Sequence, residues 1–278
     1  MTHDFETGVA VEIAAGVRRL LAPNPGPMTG PGTNTYLLGR TDVAVIDPGP
    51  VILSHIDAIE DVAKSAIRWI FVTHTHPDHS PGAKLLAERT GAELIGMPPP
   101  EGPSQDQTFE PVRVLEDDEL FEVPEFSLRA VHTPGHASNH LCYRHEQLDW
   151  LFTGDHIMSG STVVINPPDG NMGDYLRSLE RLKTLGLDKL APGHGAVIND
   201  PEEIVDWLID HRLAREAKVE RALRVNPGAT AAELVPSVYD DVSVSLHSLA
   251  ERSLLAHLIR LEEEARASRN HDRWWSSS

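Results

Sequence analysis

Phe71-Val72-Thr73-His74-Thr75-His76-Pro77-Asp78-His79-Ser80 is the stretch on which the reading of this chain turns. Three imidazoles and a carboxylate fall within six positions, directly after the apolar run Ile70-Phe71-Val72. Buried strands end in such runs, and the loop at a strand's end can aim several side chains at one point. Imidazole and carboxylate without cysteine suit zinc or a similar first-row divalent cation. A histidine-rich surface loop is the plainer reading in a chain with 15 His. It accounts for this stretch alone, and three further candidate ligands follow in matching contexts.

Those three are His136 in Thr133-Pro134-Gly135-His136, Asp155 in Thr153-Gly154-Asp155, and His194 in Ala191-Pro192-Gly193-His194-Gly195. Each follows a strand-like run: Leu128-Arg129-Ala130-Val131, Leu151-Phe152, and Lys189-Leu190-Ala191. Glycine at these points lets the backbone turn sharply and approach closely. Singly each is an ordinary turn residue. Together with His74, His76, Asp78 and His79 they offer seven ligands, enough for two metals.

The set resembles the metallo-β-lactamase superfamily, whose members carry His-x-His-x-Asp-His, then a distant His, a bridging Asp and a final His. All seven positions match in order, and the resemblance spans roughly residues 9 to 210. It implies an α/β fold, a four-layer αββα sandwich with the site at one edge. Carried over by position, it puts His74, His76 and His136 on one metal, Asp78, His79 and His194 on the second, and Asp155 between them. Two Zn2+ are the expected cofactors, with Mn2+ or Fe2+ as other divalent candidates.

The chemistry implied is hydrolysis by a hydroxide shared between the metals, formed near neutral pH without a Ser or Cys nucleophile. Asp78 is a candidate to orient that hydroxide. His140, four positions after His136, is a candidate proton donor or oxyanion binder, with a purely supporting histidine as its alternative. The first motif keeps its hydrolytic form, unlike the flavodiiron relatives. The interval from Asp155 to His194 leaves no room for the inserted domain of messenger-RNA-end nucleases. Pro77 and Pro81 depart from the pattern without removing a ligand.

Composition fits a compact enzyme. A chain of 278 residues can bury a large core. No apolar run is long enough to span a bilayer, and Met1-Thr2-His3-Asp4-Phe5-Glu6 lacks the start of a secretory signal. Cys142 is the only cysteine, so no internal disulfide forms and a cytoplasmic location is expected. The net charge of −18 is uneven. From His211 onward ten Lys/Arg face ten Asp/Glu, and before it fourteen face thirty-two. That field disfavours general nucleic-acid binding, although salt screens it beyond about 8–10 Å.

Periodicity predicts strands at 9–14, 17–22, 35–39 and 42–46, a helix over Ile52–Lys64, a strand at Arg68–Val72 and a helix over Pro81–Arg89. Strands follow at 111–115, 119–123, 126–132, 141–144 and 149–153, then a helix over Asp174–Leu185 with Asp174 as N-cap. Residues 1–210 form the expected catalytic domain and 211–278 a second unit. There a long helix over Pro201–Arg224 leads to the capping box Thr230-Ala231-Ala232-Glu233. A leucine-faced helix or pair over Val244–Ala267 precedes a short hairpin ending in Trp274-Trp275. Three helices and a hairpin resemble a winged helix. With Asn24-Pro25-Gly26-Pro27, Gly32-Thr33-Asn34-Thr35-Tyr36-Leu37 and Gly173-Asp174-Tyr175-Leu176, this is similar to the group around β-lactamase-like protein 2, described as endoribonucleases in animals.

The tail is neutral and its last long helix ends Glu262-Glu263-Glu264, so packing, dimerisation or shaping of the site is expected ahead of nucleic-acid reading. The tryptophans are read as anchors against the main domain. The leading functional expectation is a dinuclear zinc hydrolase of a small ester, thioester, lactone or amide, with β-lactam cleavage as a side activity. A metal-dependent endoribonuclease on single-stranded RNA and a mononuclear iron sulfur dioxygenase are the alternatives. The expected partner is a small molecule, with RNA or a second copy of the chain behind it.

Overall fold

A computed structural model describes residues 5–277 of the chain. Met1–Asp4, part of the stretch read as lacking a secretory signal, and Ser278 lie outside the described residues. The chain separates into two compact units. One takes the chain to Thr133, Asn139–Ser161 and Gly186–Pro201; the other takes Pro134–Ser138, Thr162–Leu185 and Glu202 onward.

The first unit opens with an antiparallel meander of Val11–Ala14 (β1), Val17–Leu21 (β2), Asn34–Leu38 (β3) and Val43–Ile46 (β4). The helix Leu53–Ala63 (α1) then crosses over to Ile67–Phe71 (β5), and Gly82–Thr90 (α2) to Glu93–Ile95 (β6), both strands added in parallel. Strands covered on both faces read as continuous apolar runs. Val43-Ala44-Val45-Ile46 is such a run, buried throughout. Ala44 and Ile46 join the core shared with the second sheet, and Val43 and Val45 join the layer under α1 and α2.

The second sheet is Leu120–Val123 (β7), Phe126–His132 (β8), Leu141–His145 (β9) and Trp150–Gly154 (β10), all antiparallel, with Lys189–Pro192 (β11) parallel to β10. Its order is β11-β10-β9-β8-β7. Aromatic rings meet between the sheets, Phe71 with Tyr143 at 5.2 Å and Tyr36 with Phe152 at 5.0 Å between centroids. Three of the four expected layers therefore stand within this unit.

The second unit holds Met172–Leu182 (α3), Pro201–Val225 (α4), Ala229–Thr230 (β12), Ala231–Val238 (α5) and His247–Glu263 (α6). Ala267–Asn270 (β13) and Arg273–Ser276 (β14) form a hairpin, and β12 pairs with β14. The expected capping box closes on α5, where Thr230 and Glu233 bond reciprocally. Val219, Leu234, Leu254, Leu258 and Trp274 share this unit's own core. Trp274 is thus an anchor inside the tail, which corrects its expected role against the main domain.

Two further expectations are corrected. Residues 111–115 form no strand: Arg113 makes an isolated bridge to Ile95, and Val112 is 74% exposed. Asn171, not Asp174, caps α3, its side chain accepting from the Asp174 N–H. Among the described residues no helix is long and apolar enough to cross a membrane.

Candidate metal centre

The loop after β5 runs Val72 to Pro81 before α2 begins. Asp47, just past β4 and with φ of 50°, anchors its start. Its carboxylate accepts from the Thr73 N–H at 2.8 Å and the Thr73 hydroxyl at 2.7 Å. The same carboxylate accepts from His79 Nδ1 at 2.9 Å. Strand end and ligand loop are thereby tied to one buried acid.

Asp78, His79, Asp155 and His194 converge, each offering a ligand atom, all within 4.8 Å of one another. His194 Nε2 lies 3.1 Å from Asp78 and 3.3 Å from Asp155; His79 Nε2 lies 3.6 Å and 3.4 Å from the same two carboxylates. His194 Nδ1 donates to the Gly32 carbonyl at 3.1 Å. Each ring is therefore held by Nδ1 with Nε2 facing inward, the arrangement that metal-ligating histidines adopt. Both Nε2 atoms are buried and face the Asp78 and Asp155 carboxylates. A nitrogen and oxygen donor set with two such nitrogens fits a zinc-class ion.

Burial alone would lower the pKa of His79, but Asp78, Asp155 and Asp47 outweigh it and raise the value well above the ordinary one. His194 shifts the same way: burial opposes, and Asp155 and Asp78 prevail. A divalent cation would replace these protons as the counter-charge to the two carboxylates.

Two glycines are required by the close approach. A Cβ on Gly193 would lie 2.7 Å from the His79 ring and 2.9 Å from Asp155. Gly154, at φ of 46°, would place one 2.5 Å from the Thr73 hydroxyl. Asn34 fastens the Gly193 turn, its amide donating to the Pro192 and Gly195 carbonyls at 2.9 Å each.

His74 and His76 leave the same loop, with Nε2 of the first 3.0 Å from Nδ1 of the second. His136 belongs to the Pro134–Ser138 loop, where Nδ1 donates to the Val164 carbonyl at 2.8 Å. His140 is fully buried. Its Nε2 accepts the Asp155 backbone N–H at 3.2 Å, and its Nδ1 meets the Thr133 hydroxyl at 2.9 Å. Both ring nitrogens are thus engaged inside the protein. Asp47 was missed in the sequence; its signal is an acid directly after the apolar β4, before Pro48-Gly49.

Residues 28–194 match the family described as the metallo-beta-lactamase superfamily, and residues 230–274 match the beta-lactamase associated winged helix domain. The chain is 31% identical over 239 residues to a beta-lactamase-like protein 2 homolog of Caenorhabditis elegans, covering 83% of this chain and 78% of the relative. It is 32% identical over 242 residues to an atrochrysone carboxyl ACP thioesterase of Aspergillus fumigatus, covering 80% and 73%. The crystal structure of a metallo-beta-lactamase family protein from Thermus thermophilus matches with a TM-score of 0.81 at 25% identity, over 96% of this chain and all of that one.

Proposed function

The chain belongs to the metallo-β-lactamase superfamily and carries its associated winged helix, and we propose on that footing that it is a dinuclear zinc hydrolase of small acyl substrates, a thioester or ester foremost. That it is a metal-dependent hydrolase follows from the family itself. The observation that carries the dinuclear reading is the Asp78, His79, Asp155 and His194 cluster, standing beside His74 and His76 on one loop. In this reading His74, His76 and His136 hold one zinc, Asp78, His79 and His194 the other, and Asp155 both.

Zinc bound there supplies a nucleophile activated near neutral pH and a Lewis acid for the acyl oxygen. The chain's own residues do the positioning. Asp47 fixes the His79 ring, Gly32 fixes His194, and His140 receives the Asp155 backbone N–H and so sets the turn that presents Asp155. Asp78, a quarter exposed on its side chain, is placed to orient the attacking group.

The state of His140 favours a thioester. Its ring nitrogens are both committed, so it is not poised to protonate a leaving group. A thiolate, with a conjugate acid near pKa 8.5, leaves without a proton, whereas an amide nitrogen or an alkoxide needs one. The Aspergillus relative named as a carrier-protein thioesterase supports the same choice. A cytoplasmic location accords with a single cysteine that is buried and forms no disulfide.

Elemental analysis with a substrate panel of a thioester, a lactone, a nitrocefin-type β-lactam and single-stranded RNA tests the reading. About two zinc ions per chain, and fastest turnover on the thioester, are expected. One iron with oxygen-dependent turnover would instead identify a sulfur dioxygenase. Sub-micromolar RNA binding with metal-dependent cleavage would identify an endoribonuclease.

A further inference from the structure

The loop that carries His136 is gripped along its length by residues of its own unit. The Pro134 carbonyl accepts from the Ser178 hydroxyl at 2.8 Å and the Gly135 carbonyl from the Asn171 N–H at 2.8 Å. The Ser138 N–H and hydroxyl both donate to Asp169. Gly135 presses so closely on α3 that a Cβ would fall 2.4 Å from the Tyr175 Cα. The Nδ1 edge of the His136 ring is held by the Val164 carbonyl, to which it donates at 2.8 Å.

What fixes Val164 is less usual. Residues 162–166 belong to no helix or strand, so no ladder holds this carbonyl in place. The two flanking residues are pinned by side chains instead. Arg212 of α4, 3% exposed, donates to the Val163 carbonyl at 2.5 Å. Ser253 of α6, 6% exposed, accepts the Ile165 N–H at 3.3 Å. The Arg212 guanidinium also lies over the Tyr175 ring, 5.3 Å from its centroid. A buried guanidinium is costly unless its charge finds partners, so Arg212 is held firmly to the Val163 carbonyl and the Tyr175 ring.

We propose that α4 and α6 of the C-terminal unit are a positioning device for a metal ligand. Arg212 and Ser253 set the Val163–Ile165 backbone, and the Val164 carbonyl sets the ring of His136. The inference rests on His136 being a ligand, as proposed above. It gives the winged helix a task at the hydrolytic site that needs no nucleic acid: α6 turns Ser253 to this segment and Leu254, Leu258 and Leu261 to the unit's core.

The test titrates zinc into metal-free, full-length protein against a chromophoric chelator, with the thermal midpoint measured alongside. Arg212→Met should weaken one of the two zinc ions several-fold, up to the roughly ten-fold at which loss of a ligating histidine's direct outer partner begins. The other ion should bind as in the wild type. Arg212→Lys, which keeps a donor, should recover part of the loss. Ser253→Ala removes a single hydroxyl, carries the same expectation at smaller size, and decides the matter should Arg212→Met not fold. His136→Ala is the reference. If it loses one zinc while Arg212→Met and Ser253→Ala bind both normally, the positioning role is overturned and the ligand assignment stands. If His136→Ala itself binds both ions normally, the ligand assignment fails and the inference with it. Equal weakening of both ions with a lowered thermal midpoint would mean general loss of structure, and would also overturn it.

Discussion

Asp47 takes three hydrogen bonds with one carboxylate, and its removal should be felt at the metal before it is felt in the fold. Asp47→Asn keeps the size but gives up acceptor capacity, so on the proposed ligand set the zinc held by His79 should bind about 10–100-fold more weakly. A chelator titration reads this directly. Asp155→Ala should cost more than any terminal ligand, because both ring nitrogens of the second site lie within 3.4 Å of this carboxylate. Loss of both ions and a fall in turnover of roughly 100-fold or more are expected, beyond what outer partners alone produce; retention of both ions with full activity would remove the bridging assignment. The motif residues were legible because each follows a strand-ending apolar run and repeats a known spacing. Asp47 was not, because its partners Thr73 and His79 lie 26 and 32 positions away and its neighbours Pro48-Gly49 read as an ordinary turn.

Helices α4 and α6 meet through a buried acid. Glu216, 2% exposed, accepts from Arg260 at 2.5 Å, from Arg266 at 2.8 Å and from His257 at 3.3 Å. Burial raises its pKa, but the bonds from His257 and Arg260 prevail and bring it down to about 2. Stability from this group is therefore present above its ordinary 4.5 and is lost as pH falls toward about 2. Glu216→Gln should cost about 3 kcal/mol at neutral pH by stranding its cations. It should also flatten the acid limb of the stability curve in that window, which denaturant titrations at several pH values would show. The elements most legible in the sequence were those with a strong period, such as β4, β5, α4 and the capping box of α5. The strand expected at 111–115 failed for a local reason. Val112 and Val114 alternate properly, but the Val112 and Arg113 N–H groups both reach the same Leu94 carbonyl in the middle of the three-residue β6, and Pro111 has no N–H to give. The α3 cap was misplaced because Asn171 and Asp174 are both capping residues. The Asn171 N–H bond to the distant Gly135 carbonyl favours the earlier start.

Across the whole molecule, charge and connectivity are divided differently. The excess of acid lies before residue 211, so added RNA should compete poorly at physiological salt, and binding should strengthen as salt is lowered only if a local basic groove exists. Connectivity instead ties the second unit together from three separate stretches of chain. Ending the chain near residue 215 would strip α6 from the segment 162–185, which carries the partners of the His136 loop. Such a truncation should melt earlier and hold about one zinc fewer per chain, by the same ligand logic; an unchanged melting curve and metal content would show the tail to be dispensable. The order of those partners along the chain has a consequence for synthesis. Val164, Asp169, Asn171 and Ser178 all follow His136, and Arg212 and Ser253 come later still. On the proposed ligand set, a growing polypeptide offers His74, His76 and His136 to the cell long before it owns the groups that aim the last of them. Loading of that ion is then expected to be complete only once synthesis has passed Ser253, and a chain cut short before it should be poor in metal.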